Sequence, residues 1–204
     1  TKIMVDIWII SDQHHRHQNI YRFTDHYGNR IRPQFESAEE GDAYMIQAWN
    51  EVVKPPDHVW CLGDFCMAGP EHWISIGKRL NGHKRLVLGN HDMVQPTVMR
   101  NAGFQKIQGA KKLQIAGLRM LCTHYPVHES SLFKRDCNVH GHVHANPDIT
   151  PKVSKEGQVK CWLNVCVERM HYRPVHIEDL AKLIKQRRSE ALVMAADPMT
   201  ISAD

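Results

Sequence analysis

Five apolar runs in this 204-residue chain each end, within two residues, on an aspartate, an asparagine or a histidine. The runs are I-M-V-D-I-W-I-I (3–10), H-V-W-C-L (58–62), R-L-V-L (85–88), L-R-M-L-C-T (118–123) and C-N-V-H (137–140). They lead into Asp12, Asp64, Asn90, His124 and His142, and His14 and His144 follow two residues behind the first and last of these. Runs of this length and composition read as strands. In an α/β sheet the carboxyl ends of parallel strands line one crevice, where ligands gather. The pattern therefore asks for a fold that brings seven oxygen and nitrogen donors to one edge.

The segments between the runs fit such a fold. Residues 36–53 read as a helix capped by Ser37, with Glu40 three residues on and Ala43, Ile46, Trp49 and Val53 recurring on one face; Pro55-Pro56 stops it. Helices are expected near 70–80, 94–102 and 177–188, the last packing through Ile177, Leu180, Ala181 and Ile184. Beyond residue 103 the pattern is mostly strands: 104–108, 111–116, 118–123, 137–140 and 159–167, with Gly117 at a hairpin. Trp8, Trp60, Trp73 and Trp162 read as core. The expectation is an α/β protein with one domain over 1–189 and a tail over 190–204 that the pattern does not place.

Bulk properties exclude little but agree. Apolar content of 42% and charged content of 24% are those of a globular protein, and no apolar run reaches 18 residues. The sequence opens without a basic-then-apolar leader, and its six cysteines contain no C-x-x-C pair, so a reduced, cytoplasmic protein is expected. Much of the net charge of +4 sits in short groups such as Lys84-Arg85 and Lys111-Lys112, which read first as solvated surface, with attraction of a phosphorylated substrate as the alternative. Fifteen histidines, clustered at 14–17 and 140–144, exceed what a core or a surface needs and point to metal or acid–base chemistry.

Seven donors are too many for one catalytic zinc, which takes three protein ligands and a water. They suit two metals that share a bridging aspartate, an arrangement that holds both attacking and leaving oxygens of a displacement at phosphorus. Mixed imidazole, carboxylate and amide donors favour manganese, with iron, zinc, nickel or cobalt as alternatives, over magnesium. Gly63, Gly89 and Gly141 each precede a donor, where a missing side chain lets backbone and ligand approach closely.

In order along the chain, D-x-H (12–14), G-D (63–64), G-N-H-D (89–92), a lone histidine (124) and G-H-x-H (141–144) resemble the motifs of the calcineurin-like metallophosphoesterase superfamily. The stretches S-D-Q-H-H-R-H-Q-N-I and L-N-V-C-V-E…Y-R-P-V-H-I-E-D-L are similar to a small bacterial and phage-type subgroup, extending the resemblance to about residue 183. It implies a four-layer α/β/β/α sandwich. It also implies a first metal on Asp12, His14, Asp64 and His144, and a second on Asp64, Asn90, His124 and His142. His91 would donate a proton to the leaving oxygen and Asp92 would orient His91. A hydroxide bridging the two metals would attack phosphorus in line, with no covalent enzyme intermediate.

On the substrate side the residues leave alternatives open. His17 lines the site or lies on the surface; Arg16 suits bidentate phosphate binding; His128 falls on a loop that reaches over the site. His15 is expected to face solvent and His140 to point away. The expected activity is hydrolysis of small phosphodiesters, with a small-molecule or nucleotide phosphomonoesterase as the alternative. A nuclease is less favoured, because basic residues are scattered and aromatics make up 7% of the chain. A non-catalytic scaffold would show degenerate ligands, and none is degenerate. No membrane partner is expected, and the oligomeric state is not legible.

Overall fold

Ten strands and four helices follow one another in the computed structural model, which describes residues 5–25 and 27–196. In chain order they are β1 (Ile7–Ile10), α1 (Ala38–Val52), β2 (His58–Cys61), α2 (Pro70–Arg79), β3 (His83–Val87), α3 (Pro96–Asn101), β4 (Phe104–Gln108), β5 (Lys111–Ile115), β6 (Leu118–Thr123), β7 (Cys137–His140), β8 (Lys152–Val153), β9 (Val159–Asn164), β10 (Val175–His176) and α4 (Ile177–Ala196). The start of the expected first strand, Ile3 and Met4, lies outside the described residues, as do 197–204 of the tail.

Two mixed five-stranded sheets form, ordered β10-β1-β2-β3-β4 and β5-β6-β7-β9-β8. In the first, β1 to β4 are parallel and β10 is antiparallel at the edge. In the second, β6, β7 and β9 are parallel between antiparallel edges. Helices flank the sheets, and the architecture is the expected four-layer α/β/β/α sandwich. One core unites α1, α2 and α3 with the first sheet through Trp49, Trp73, Leu86 and Phe104. A second joins Ile9, Trp60 and Val87 of that sheet to Met120, Cys122, Val139 and Leu163 of the other, with Leu180 and Ile184 of α4. Between them these clusters bury Ile, Val, Leu and Trp side chains worth roughly 2 kcal/mol each in apolar transfer.

Local chemistry explains the elements. Ser37 Oγ accepts the backbone N–H of Glu40, whose carboxylate accepts that of Glu36 in return, so α1 starts on a reciprocal cap. Its buried face is Met45, Ile46, Trp49 and Val53; Ala43 is exposed, because Gly41 and Asp42 take the inward positions one turn earlier. Ala116 (φ 49°) and Gly117 (φ 81°) make the two-residue turn between β5 and β6. The two-residue strands β8 and β10 were beyond the reach of periodicity, and α4 runs past Arg188 because E-A-L-V-M-A-A (190–196) is made of helix formers with one valine.

Register sets the site. Ile10 lies opposite Cys61 and Cys61 opposite Leu86; in the second sheet Thr123 lies opposite His140 and His140 opposite Asn164. Each sheet thus releases its polar termini at one level. A parallel bridge from Ser11 to Cys166 joins the ends of the two sheets.

Candidate metal centre

The ligand-bearing turns carry unusual backbone. Asp12 (φ 60°), His14 (49°), Asp64 (55°), His142 (71°) and His144 (50°) all occupy the left-handed region. Each such non-glycine residue costs on the order of 1 kcal/mol and persists only where its surroundings over-determine it. Here the Asp12 N–H donates to Gly63 O, the His14 N–H to Asp64 O and the Gly141 N–H to His124 O, all between 2.9 and 3.0 Å. The flanking glycines answer a steric need. A Cβ on Gly89 would stand 2.2 Å from Asp64 Oδ1, and one on Gly141 2.1 Å from Asp12 Oδ2.

These turns converge into two triads, Asp12–His14–His144 and Asp64–His124–His142, with the donor atoms of each lying within 4.8 Å of one another. One atom links them: Asp64 Oδ2 is 3.4 Å from His14 Nε2 and 3.3 Å from His124 Nε2. Asn90 Oδ1 (2.9 Å) and His142 Nδ1 (3.3 Å) also face His124 Nε2. The donor set fits a pair of divalent ions on direct structural grounds. Among the described residues, Asp12 Oδ1 and the ring nitrogens of His14 are buried without a hydrogen-bond partner, a costly state that ligation would relieve at Oδ1 and at one of the two nitrogens.

A supporting layer fixes which atom of each ligand is free. Asp12 Oδ2 accepts from Ser11 Oγ, from the His142 N–H (2.9 Å) and from Cys166 Sγ (3.2 Å), leaving Oδ1 open. His124 Nδ1 donates to Leu62 O at 2.8 Å, which presents Nε2 to the centre. His144 Nδ1 pairs with Glu168 Oε1 at 3.2 Å, and the same carboxylate oxygen accepts Arg32 Nε at 2.8 Å. Arg32, fully buried, also donates to the carbonyls of Asp12 and Gln13. Carboxylate–histidine pairs of this kind set ring orientation and basicity at metal sites. Sequence reasoning missed both residues. Glu168 was within reach, since it follows the 159–167 run as the other donors follow theirs; Arg32 carried no signal.

The charges are mutually adapted. Burial opposes ionisation of Asp12 and Asp64, yet contacts with His14, His124 and His144 outweigh it and hold both carboxyls far below the usual range. Burial lowers His14, but Asp12 and Asp64 push it up to about 9. A cation is favoured between these groups.

The other expected site residues divide. His91 is exposed; its ring makes no hydrogen bond among the described residues, and its centroid lies 5.5 Å from that of His14. Asp92 does not pair with that ring. It accepts the backbone N–H groups of Asp64, Phe65 and Gly89, tying two ligand turns together. His17 is half-buried, 5.5 Å from the His14 ring, with Nδ1 unpartnered; burial and the neighbouring cations push it down to about 4. Arg16 is committed to Glu39 at 3.0 Å, and exposed His128 caps a short 3-10 turn through Ser130, so neither joins the triads. His15 is buried, not solvent-facing: Asp42 takes its Nδ1 at 2.9 Å and Phe65 packs on its ring. His140 is buried against Gly141 O. All six cysteines are free and buried, and among the described residues no helix is long and apolar enough to cross a membrane.

No family model matches the sequence. An uncharacterized protein of Methanocaldococcus jannaschii is 29% identical over 190 residues, 90% of this chain and 93% of that one. The Gene 66 protein of Mycobacterium phage L5 is 34% identical over 110 residues, and the matched region spans 48% of its length and 52% of this chain. Among solved structures, a protein of unknown function from Aquifex aeolicus aligns at 27% identity and TM-score 0.67, covering 88% of this chain and all of that one. The sandwich and its donor-bearing turns define the class: a four-layer α/β/β/α fold with two triads of side chains that could each hold a metal ion. Within that class, the chain resembles the Methanocaldococcus and Aquifex proteins over most of its length.

Proposed function

We propose that this chain is a dimetal-dependent hydrolase of phosphate esters, acting on small phosphodiesters through one domain over residues 1–189. The observation that carries the reading is the position of Asp64 Oδ2 between the two triads, 3.4 and 3.3 Å from a histidine nitrogen of each. Asp12, His14, Asp64 and His144 would hold one ion, and Asp64, Asn90, His124 and His142 the other. Manganese suits the mixed donors, with iron, zinc, nickel or cobalt as alternatives. Two such ions supply Lewis acidity and activate water for attack on phosphorus.

The chain's own residues do the rest. Asp64 spaces the two sites, and the Arg32–Glu168–His144 chain holds one imidazole at a fixed angle. His91, exposed and unbonded beside His14, donates a hydrogen bond to a phosphoryl oxygen and passes its proton to the leaving oxygen. His17 lines the same side with a free ring nitrogen. Among the described residues no large cap is inserted between the strands, which supports an open site reached by small substrates.

The test compares a chromogenic phosphodiester, a monoester, a cyclic nucleotide and an oligonucleotide in one manganese background, with His91→Ala alongside. The expected result is a preference for the diester. The variant should lose turnover by about 10²- to 10⁴-fold while retaining two metals per chain. Preference for the monoester or the oligonucleotide selects a phosphomonoesterase or a nuclease instead. No turnover with any of manganese, nickel, cobalt or zinc would reject the enzyme reading in favour of a scaffold.

A further inference from the structure

Two exposed aromatic side chains stand against histidines, Tyr125 against two of the centre and Phe23 against His17 beside it. Phe23, 49% exposed, meets the ring of His17 edge-on at 5.6 Å, and His17 in turn lies 5.5 Å from His14 of the first triad. Tyr125, 47% exposed, meets His142 of the second triad at 4.6 Å and His124 at 5.0 Å. Single exposed aromatics are ordinary on a surface. Tyr125 touches the second triad directly and Phe23 reaches the first through His17, so both rings border the candidate centre.

The backbone that carries each ring is tied down. Phe23 O accepts the Ile31 N–H at 3.0 Å, and Arg30 clamps the same segment through Tyr21 O (3.0 Å) and Phe35 O (2.6 Å). Tyr125 O accepts Thr123 Oγ1 at 2.7 Å, and that hydroxyl is fixed by Asn138 Nδ2 at 2.8 Å. The phenol oxygen of Tyr125 has no hydrogen-bond partner among the described residues. Each ring therefore projects from a fixed stretch of backbone, so no loop must order to present it.

We propose that Phe23 and Tyr125 determine specificity, and that the substrate is a phosphodiester carrying a planar aromatic group, of the nucleotide class. The phosphate would sit at the triads while each ester arm runs outward over one ring. Stacking of a base on an aromatic side chain is worth roughly 1–3 kcal/mol and tolerates any base identity. This rests on the phosphate-ester reading above and deepens it by naming the group beyond the phosphate.

The experiment uses two diesters with the same leaving group, the p-nitrophenyl ester of thymidine 5′-phosphate and methyl p-nitrophenyl phosphate. It is paired with calorimetry of two phosphonates that have no ester bond to cleave, phenylphosphonate and methylphosphonate. Wild-type protein should favour the thymidine ester and bind phenylphosphonate more tightly. Phe23→Ala and Tyr125→Ala should each lower kcat/KM for the thymidine ester about fivefold or more; the methyl ester, whose nitrophenyl arm covers one ring, should respond to one of the two variants and stay within twofold in the other, and phenylphosphonate binding should weaken while methylphosphonate binding does not. Phe23→Leu, which keeps bulk without a π face, should behave like the alanine variant. Equal binding of both phosphonates by wild type, or parallel losses on both esters in both variants, overturns the proposal. If neither ester is hydrolysed while phenylphosphonate still binds through the rings, the hydrolase reading fails and the aromatic site stands.

Discussion

Asp92 accepts the backbone N–H of Asp64 at 3.0 Å, across 28 positions of sequence. The same oxygen takes the Gly89 N–H at 2.8 Å, and the other takes Phe65 N–H at 3.0 Å. The carboxylate is thus a staple between the G-D and G-N-H-D turns. Asp92→Asn leaves at least one of these amides facing an NH₂ group, so it should destabilise the metal-free protein by about 1–3 kcal/mol. Thermal unfolding in chelator measures this; unchanged metal-free stability with lost turnover would restore an orienting role toward His91.

Glu168 balances the buried Arg32 and fixes His144. Glu168→Gln should weaken the first metal site by about 10- to 100-fold, and leave a buried guanidinium with no counter-charge, costing roughly 3–5 kcal/mol. Metal titration should show one weakened site with the second retained. Equal loss at both sites would place Glu168's influence elsewhere.

Gly89→Ala sets a methyl group 2.2 Å from Asp64 Oδ1, against a backbone and carboxylate that both triads rely on. Because Asp64 faces both triads, bound metal should fall at both sites together. Retention of two metals per chain, measured by elemental analysis, would show that the turn relaxes freely.

Asp57 offers a pH-dependence remote from the metals. Burial would raise its carboxyl, but the backbone N–H groups of Lys54 and Asp6 and the Trp8 indole, at 2.9 to 3.2 Å, hold it below its ordinary 3.8. A depressed carboxyl stabilises the fold fully above its unfolded value and loses that contribution as pH falls through the folded one. Asp57→Asn should therefore cost about 1–3 kcal/mol at pH 7, with the gap to wild type closing below about pH 4. Denaturant midpoints at pH 7 and pH 3 check this; a constant gap would make the loss one of shape alone.

Much of the centre was legible because strand ends are local events. An apolar run that stops on a donor identifies Asp12, Asp64, Asn90, His124 and His142 one by one, and parallel register then collects them. The cap of α1 and the Ala116-Gly117 turn are likewise decided within a few residues. Side-chain partners were not legible. Asp92, two residues after Asn90, reads as part of a catalytic motif, yet its oxygens are claimed by amides at 64, 65 and 89. His15 lies in a polar stretch, and only the packing of Asp42 and Phe65 around it makes it interior.

The sequence by itself determined which donor side chains end the strands and their order along the chain, because these depend on residue type and short spacing. Tertiary structure alone decided that Asp64 faces both triads, that Arg32 meets Glu168 136 residues away, and that Phe23 and Tyr125 lie against histidines on either side. Those contacts arise where two sheets and their loops close on one another, and the burial that makes them strong exists only once the chain has folded.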